Sequence, residues 1–332
     1  MSDQNIEYAN LFRTSKKKAI KSISKCYHPY CDENSINSHL LQENGILSTI
    51  APTRHLWQPE INQFKESILQ IKRRGIGEAF SFACFCKYHD EELFKPIEKK
   101  AIDFNDYRSN LLFTIRTIYN EIHRKEVNVK MYGYFLEQRS VELNKQVISL
   151  KIQQENLGIS DLQEIAKKIW NDLNTSNQSF VFKMRQVERI DVCMSSFYNY
   201  DTSKEMNQYI RKNGIDMPRI AHIFVNLFPY DGRSILMMGY DKIDEPKIKG
   251  YFNTFFSESE KRLFRKLTNL ILFQCETWVA SDEFYSKYIK GNELLFAEAI
   301  KYSFRNQNER SNRDVSFLDF NFKDKLVKVL NG

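Results

Sequence analysis

The chain has 332 residues and a formal net charge of +7, from 49 Lys and Arg against 42 Asp and Glu. Its 42% apolar content, with 25 Phe and 17 Tyr, is enough for a large core, and 11 Gly and 7 Pro exclude a collagen-like or disordered chain. No apolar run reaches the roughly 18 residues of a membrane span, and MSDQNIEYANLFRTSKKKAI at residues 1–20 lacks the apolar stretch of a secretory signal.

A cytoplasmic protein with no membrane partner is therefore expected. Thiols stay reduced in that compartment, and clustered cysteines there bind metal more often than they form disulfides.

Residues 1–25 read as a basic, partly helical lead-in carrying Lys16, Lys17 and Lys18. Residues 26–100 hold the Cys and His clusters in a loop-rich setting. Within them EINQFKESILQIKRR places Ile61, Phe64, Ile68, Leu69 and Ile71 near one face and predicts a helix. That helix ends in a second basic knot, Lys72, Arg73 and Arg74. Both patches suit a phosphate backbone, and equally a solvated surface. After His89 the acids of DEELFKPIEKKA suit the start of a helix, which Pro96 interrupts.

Residues 101–175 are helical by pattern, with Leu111, Leu112, Ile115, Ile118, Tyr119 and Ile122 on one apolar face and an antiparallel helical partner following. Residues 176–332 form an α+β domain. SFVFKMRQVERIDVCMSSFY is rich in β-branched and aromatic residues and predicts strands. Two apolar runs around PYDGRS predict a buried hairpin turning at Asp231-Gly232. Ser257 with Glu260 reads as a capping box for the next helix. Glu276 and Asp282 read as solvated carboxylates. The predicted class is α+β and predominantly helical: a zinc-braced N-terminal module, a helical middle, and a C-terminal antiparallel sheet flanked by helices.

Four of the six cysteines lie in two short stretches, CYHPYC at residues 26–31 and CFCKYHD at residues 84–90. Cys26 and Cys31 make a C-x4-C pair, and Cys86 and His89 make C-x2-H. Two tight turns, each presenting two ligands, suit a tetrahedral structural Zn2+. Cys84 can replace Cys86 in this scheme, and His28 either member of the first pair. Cys193 and Cys275 sit in apolar patterns and read as core residues.

The order of these features resembles the ββα-metal, or HNH, nuclease module on a treble-clef zinc scaffold. The resemblance covers about residues 20–100. It implies Cys26, Cys31, Cys86 and His89 as zinc ligands, His39 in the Ser38-His39 dipeptide as the general base, and Asp90 as a ligand of a catalytic Mg2+ or Mn2+. Ser38 stands where the family carries an acidic residue, Asp90 where it usually carries His, and no Asn stands clearly between them. The stretch CYHPYC…INSHLLQENGILSTIA…FACFCKYHDEELFKPIE also resembles a group of uncharacterised bacterial proteins, which extends the expectation to phage defence.

Two functions follow as expectations. The first is a metal-dependent nuclease acting on DNA or RNA, with the C-terminal domain sensing a trigger or holding a protein partner. The second is a zinc-braced subunit that binds nucleic acid or protein in a defence complex and cuts nothing. No phosphate-binding loop of the G-x4-G-K-[ST] type and no G-x-S-x-G elbow is present.

Overall fold

The computed structural model describes residues 3–61, 69–99, 101–137, 144–213, 219–305 and 313–331. In chain order its main elements are α1 (Asp3–Ser22), β1 (Asn37–His39), β2 (His55–Ile61), β3 (Leu69–Gly75), β4 (Ser81–Ala83) and α2 (Lys87–Phe94). There follow α3 (Tyr107–Glu137), α4 (Lys145–Asn174), β5 (Phe180–Val187), β6 (Val192–Asn199), α5 (Ser203–Asn213), β7 (His222–Tyr230) and β8 (Arg233–Asp241). The chain continues through α6 (Glu245–Ser257), α7 (Glu260–Asn269), β9 (Trp278–Ala280), α8 (Asp282–Phe284), α9 (Glu293–Arg305) and α10 (Phe322–Asn331). Helices outweigh strands, and every strand pair in the large sheet is antiparallel, so the α+β class holds. Among the described residues no helix is long and apolar enough to cross a membrane.

The chain forms two compact units, each discontinuous in sequence. The first contains residues 1–40, 81–102 and 111–177. Its frame is the antiparallel pair α3 and α4. Lys125 and Asn128 of α3 both reach Glu155 of α4, at 3.1 and 2.8 Å. Nearer the other end of the pair, the Trp170 indole N–H donates to the Tyr119 hydroxyl at 2.7 Å. Ala19 and Ile23, in and just after α1, pack with Met131, Phe135 and Ile148.

The second unit contains residues 41–80, 103–110 and 178–332 and is built on a seven-stranded sheet of order β3-β2-β9-β6-β7-β8-β5. The β7–β8 hairpin turns at Asp231-Gly232, both with positive φ (48° and 75°), as a two-residue turn of matching twist requires. One sheet face, with Met194, Val225, Leu236 and Tyr240, packs on Ile248, Phe252 and Phe255 of α6 and on Leu263 and Leu267 of α7. Each such fully buried large side chain contributes about 2 kcal/mol.

Two expectations are corrected. The helix predicted over EINQFKESILQIKRR is instead the end of β2 and most of β3, with residues 62–68 outside the described part. Ile71 alternates with Gln70 and Lys72, and a short apolar pattern fits strand or helix equally until a partner decides. Here the partner of β3 is β2, from His55↔Gly75 to Ile61↔Leu69, and β2 in turn joins β9 at Trp57↔Ala280. The capping box is not formed: the N-cap of α7, Ser259, makes no side-chain cap hydrogen bond. Ser257 ends α6, its hydroxyl donating to the Asn253 carbonyl at 3.1 Å, while Ser259 precedes α7.

Asp282 is no idle surface acid. Its carboxylate accepts from Thr53 Oγ1 and Trp57 Nε1, each at 2.8 Å, and from Arg73 Nε and Nη2, each at 2.9 Å. Trp57 also stacks on Tyr285 at 3.4 Å. Asp282 thus ties the β2–β3 hairpin to α8. The Arg73 guanidinium holds its carboxyl well below the usual carboxylate range. A depressed acid stabilises the fold above its unfolded pKa, about 3.9, and that contribution fades as pH falls through the folded value. Asp282→Asn should therefore lower the Tm by a few degrees near neutrality. Its deficit against the unsubstituted chain should shrink as thermal melts are taken from pH 5 towards pH 2.

Candidate metal centre

The metal centre grows from two local structures in the first unit. The first is a tight turn over residues 26–33. The Cys26 N–H donates to the Glu33 carbonyl at 2.9 Å and the Cys31 N–H to the His28 carbonyl at 3.2 Å. Tyr30 takes a positive φ of 65° at the tip. The His28 N–H points at Cys26 Sγ at 3.4 Å, a donor to the sulfur of the kind that stabilises a thiolate. The second is the start of α2, where Cys86 is the N-cap residue and His89 lies in the first turn. An i, i+3 spacing puts both on one helix face.

Backbone hydrogen bonds join the two pieces. The Tyr27 N–H donates to the Cys84 carbonyl at 3.0 Å and the Ile36 N–H to the Phe85 carbonyl at 2.8 Å. β1 pairs antiparallel with β4 just before α2, in the register Asn37↔Ala83, Ser38↔Phe82 and His39↔Ser81.

As a result, Cys26, Cys31, Cys86 and His89 bring one ligand atom each to within 4.8 Å of one another. Cys31 Sγ lies 3.9 Å from Cys86 Sγ, and His89 Nδ1 lies 3.6 Å from Cys26 Sγ and 3.2 Å from Cys86 Sγ. A tetrahedral ion with bonds of about 2.3 Å to sulfur and 2.05 Å to nitrogen needs edges of about 3.8 and 3.6 Å. The Cys31–Cys86 and Cys26–His89 distances match, the Cys86–His89 distance is about 0.4 Å shorter, and the donor set fits a metal such as zinc. The alternatives close accordingly. Cys84 is fully buried and belongs to no ligand group, and His28 serves by stacking on the His89 ring at 3.7 Å.

The electrostatics agree. Burial, and then the neighbouring His28, lower the His89 pKa, which favours the neutral, ligating imidazole. Burial pushes the Cys26 thiol up to about 11, so without a cation its thiolate is disfavoured. Behind the turn, Tyr27 stacks on Tyr119 at 4.9 Å and its hydroxyl donates to Glu126 Oε2 at 2.6 Å. His123, on the same stretch of α3, is pushed down to about 4 by burial and is neutral near pH 7.

The remaining predicted residues fall as follows. His39 is partly buried in β1. Asp90 lies in the first turn of α2, its carboxylate 3.4 Å from Arg116 Nη2. Arg116 is 2% exposed, pairs also with Glu98 at 2.6 Å, and stacks on Phe94 at 3.7 Å. It was not among the residues singled out from the sequence, though a charge inside the apolar stripe of α3 is its signature. Lys16, Lys17 and Lys18 are exposed on α1, Lys18 lying 3.9 Å from the Tyr134 ring. Lys72 and Arg74 both pair with Glu60, and Arg73 with Asp282. Among the described residues the Cys3His group is the one cluster of three or more His, Cys, Asp or Glu side chains placed to hold a metal.

No family model, curated protein or solved structure matches the chain.

The two candidate thiols at residues 84 and 86 separate by experiment. Cys86→Ser should drop bound metal from about one equivalent to well below that and expose the first unit to protease. Cys84→Ser should keep the metal. Elemental analysis of both purified variants reads the difference.

Proposed function

We propose that the first unit is a zinc-braced ββα module that cleaves nucleic acid with a second divalent ion. The observation that carries this reading is topological. A Cys pair precedes a strand bearing His39, that strand pairs antiparallel with β4, and α2 begins at the next ligand pair. Three thiolates and one imidazole select Zn2+ over hard cations. With four protein ligands and no open position, the ion is structural. It supplies folding free energy and fixes where the strands and α2 meet.

In this reading His39 takes a proton from water as the general base. Asp90 holds Mg2+ or Mn2+, exchanging its contact with Arg116 for the ion. The divalent ion would stabilise the charge that develops on the phosphate and the leaving oxygen. The exposed lysines of α1 supply the sequence-independent attraction for a DNA or RNA backbone. The protein acts in the bacterial cytosol, where reduced thiols suit the zinc site. A role in antiviral defence would give the second unit a trigger or a protein partner to hold.

A second reading is favoured by the Asp90–Arg116 pair, which already occupies the carboxylate the second metal would need. In that reading the zinc-braced module binds nucleic acid or protein without cutting it.

The test incubates the purified, metal-assayed chain with plasmid, single-stranded DNA and RNA in Mg2+ or Mn2+, beside His39→Ala. Cleavage lost by about 100-fold or more in the variant at unchanged zinc content supports the nuclease. Salt-dependent binding with no cleavage by either protein supports the second reading and sinks the first.

A further inference from the structure

A cavity of 190 Å³ lies in the second unit, between the turn joining β5 to β6 and the helices after β9. It is smaller than the about 300–1,000 Å³ of most ligand pockets, so it admits a head group rather than a whole cofactor. Its inner wall is aromatic. Phe284, Tyr288 and Phe317 form a triangle with ring centroids 4.8, 5.0 and 5.1 Å apart. Phe284 and Phe317 are nearly fully buried, while Tyr288 is partly open to the cavity.

The mouth has the opposite sign to the chain. Glu188, Asp191 and Glu283 face only Arg189 and Lys287, whereas the chain as a whole carries +7. Arg189 is already committed, to Asp191 at 2.7 Å and to the Thr49 carbonyl at 2.9 Å. Lys287 Nζ lies 5.0 Å from the Tyr288 ring centroid, so the chain's own ammonium marks this wall as a face that accepts cations.

The backbone supplies an independent observation. Both π-helical turns described, Leu270–Gln274 and Tyr285–Ile289, border this cavity, the first through Ile271 and the second through Lys287 and Tyr288. Such turns cost regular hydrogen bonding and occur often at functional sites.

We propose that this cavity binds a methylated ammonium head group, held against Tyr288 and Phe284 with Glu188 and Glu283 as its counter-charges. The cation takes the place of the Lys287 ammonium at the Tyr288 face. Methyl groups match the aromatic wall, and the mouth, with one net negative charge among its lining residues, favours a cation over an anion. This site is independent of the nuclease reading. The same chemistry is carried by a free metabolite of the choline type and by a trimethylated lysine on a partner protein.

Calorimetry on the full chain at constant chloride separates these cases, with choline, its neutral carbon isostere 3,3-dimethylbutan-1-ol, and an N-acetyl-trimethyllysine amide. Choline or the lysine amide should bind at least about tenfold tighter than the alcohol, the scale of a desolvated cation–π contact. Glu283→Gln and Tyr288→Leu should each weaken that binding about tenfold. Glu283 is exposed, so its substitution leaves the Tm unchanged and keeps the test valid if the Tyr288 variant is unstable. Tighter binding of the lysine amide assigns a partner's side chain, and tighter binding of choline assigns a metabolite. Equal binding of choline and the alcohol, or no binding of any of the three at millimolar concentration, overturns the proposal.

Discussion

Convergence of three sulfurs and one imidazole nitrogen is the constraint on which the first unit depends. The two halves of the group are 55 and 63 residues apart along the chain, yet their sulfur and nitrogen atoms all lie within 4.8 Å of one another. Hydrophobic burial of small thiols brings such a group together without setting the directions in which its ligand atoms point. Buried thiols are weak hydrogen-bond partners, and three thiolates would repel one another. A divalent cation held there would turn that repulsion into attraction and make the closure of a long loop favourable.

What the loop contains explains why closure matters. The chain leaves the first unit after Leu40, forms the β2–β3 hairpin within the second unit, and returns at Ser81. The short β1–β4 pair marks departure and return, and three residues each make only a small ladder. A two-stranded pair of that length is not stable alone. It persists between a tight turn and a helix start that share ligands. Ring contacts complete the support: Tyr27 stacks on Tyr119, and His28 stacks on His89 and meets Trp170 edge-on.

Charge is distributed with the same economy. The basic knot of β3 looks like a phosphate site in one dimension, but Glu60 and Asp282 pair all three of its cations within the second unit and leave an excess of one positive charge. Arg116, buried on α3, gathers Glu98 and Asp90. Removing one partner of such a pair leaves an uncompensated charge, which costs far more than the pair contributes. The net +7 already subtracts these acids; pairing decides only where the excess lies, and Lys16, Lys17 and Lys18 of α1 stay exposed.

The sequence by itself determined the elements whose signals are local. The Asp231-Gly232 hairpin followed from turn chemistry, α3 and α4 from long apolar periodicity, and the two ligand pairs from spacing within single turns. Tertiary structure decided whatever depended on a distant partner. It grouped Cys86 rather than Cys84 with Cys26, Cys31 and His89. It made strands of Ile61 and of Leu69–Gly75, because β2 has an edge of β9 to join. It made Asp282 a hub, because Thr53, Trp57 and Arg73 reach it from more than two hundred residues away. Periodicity records which face of an element is apolar; it holds no record of what that face, or a charge beside it, will meet.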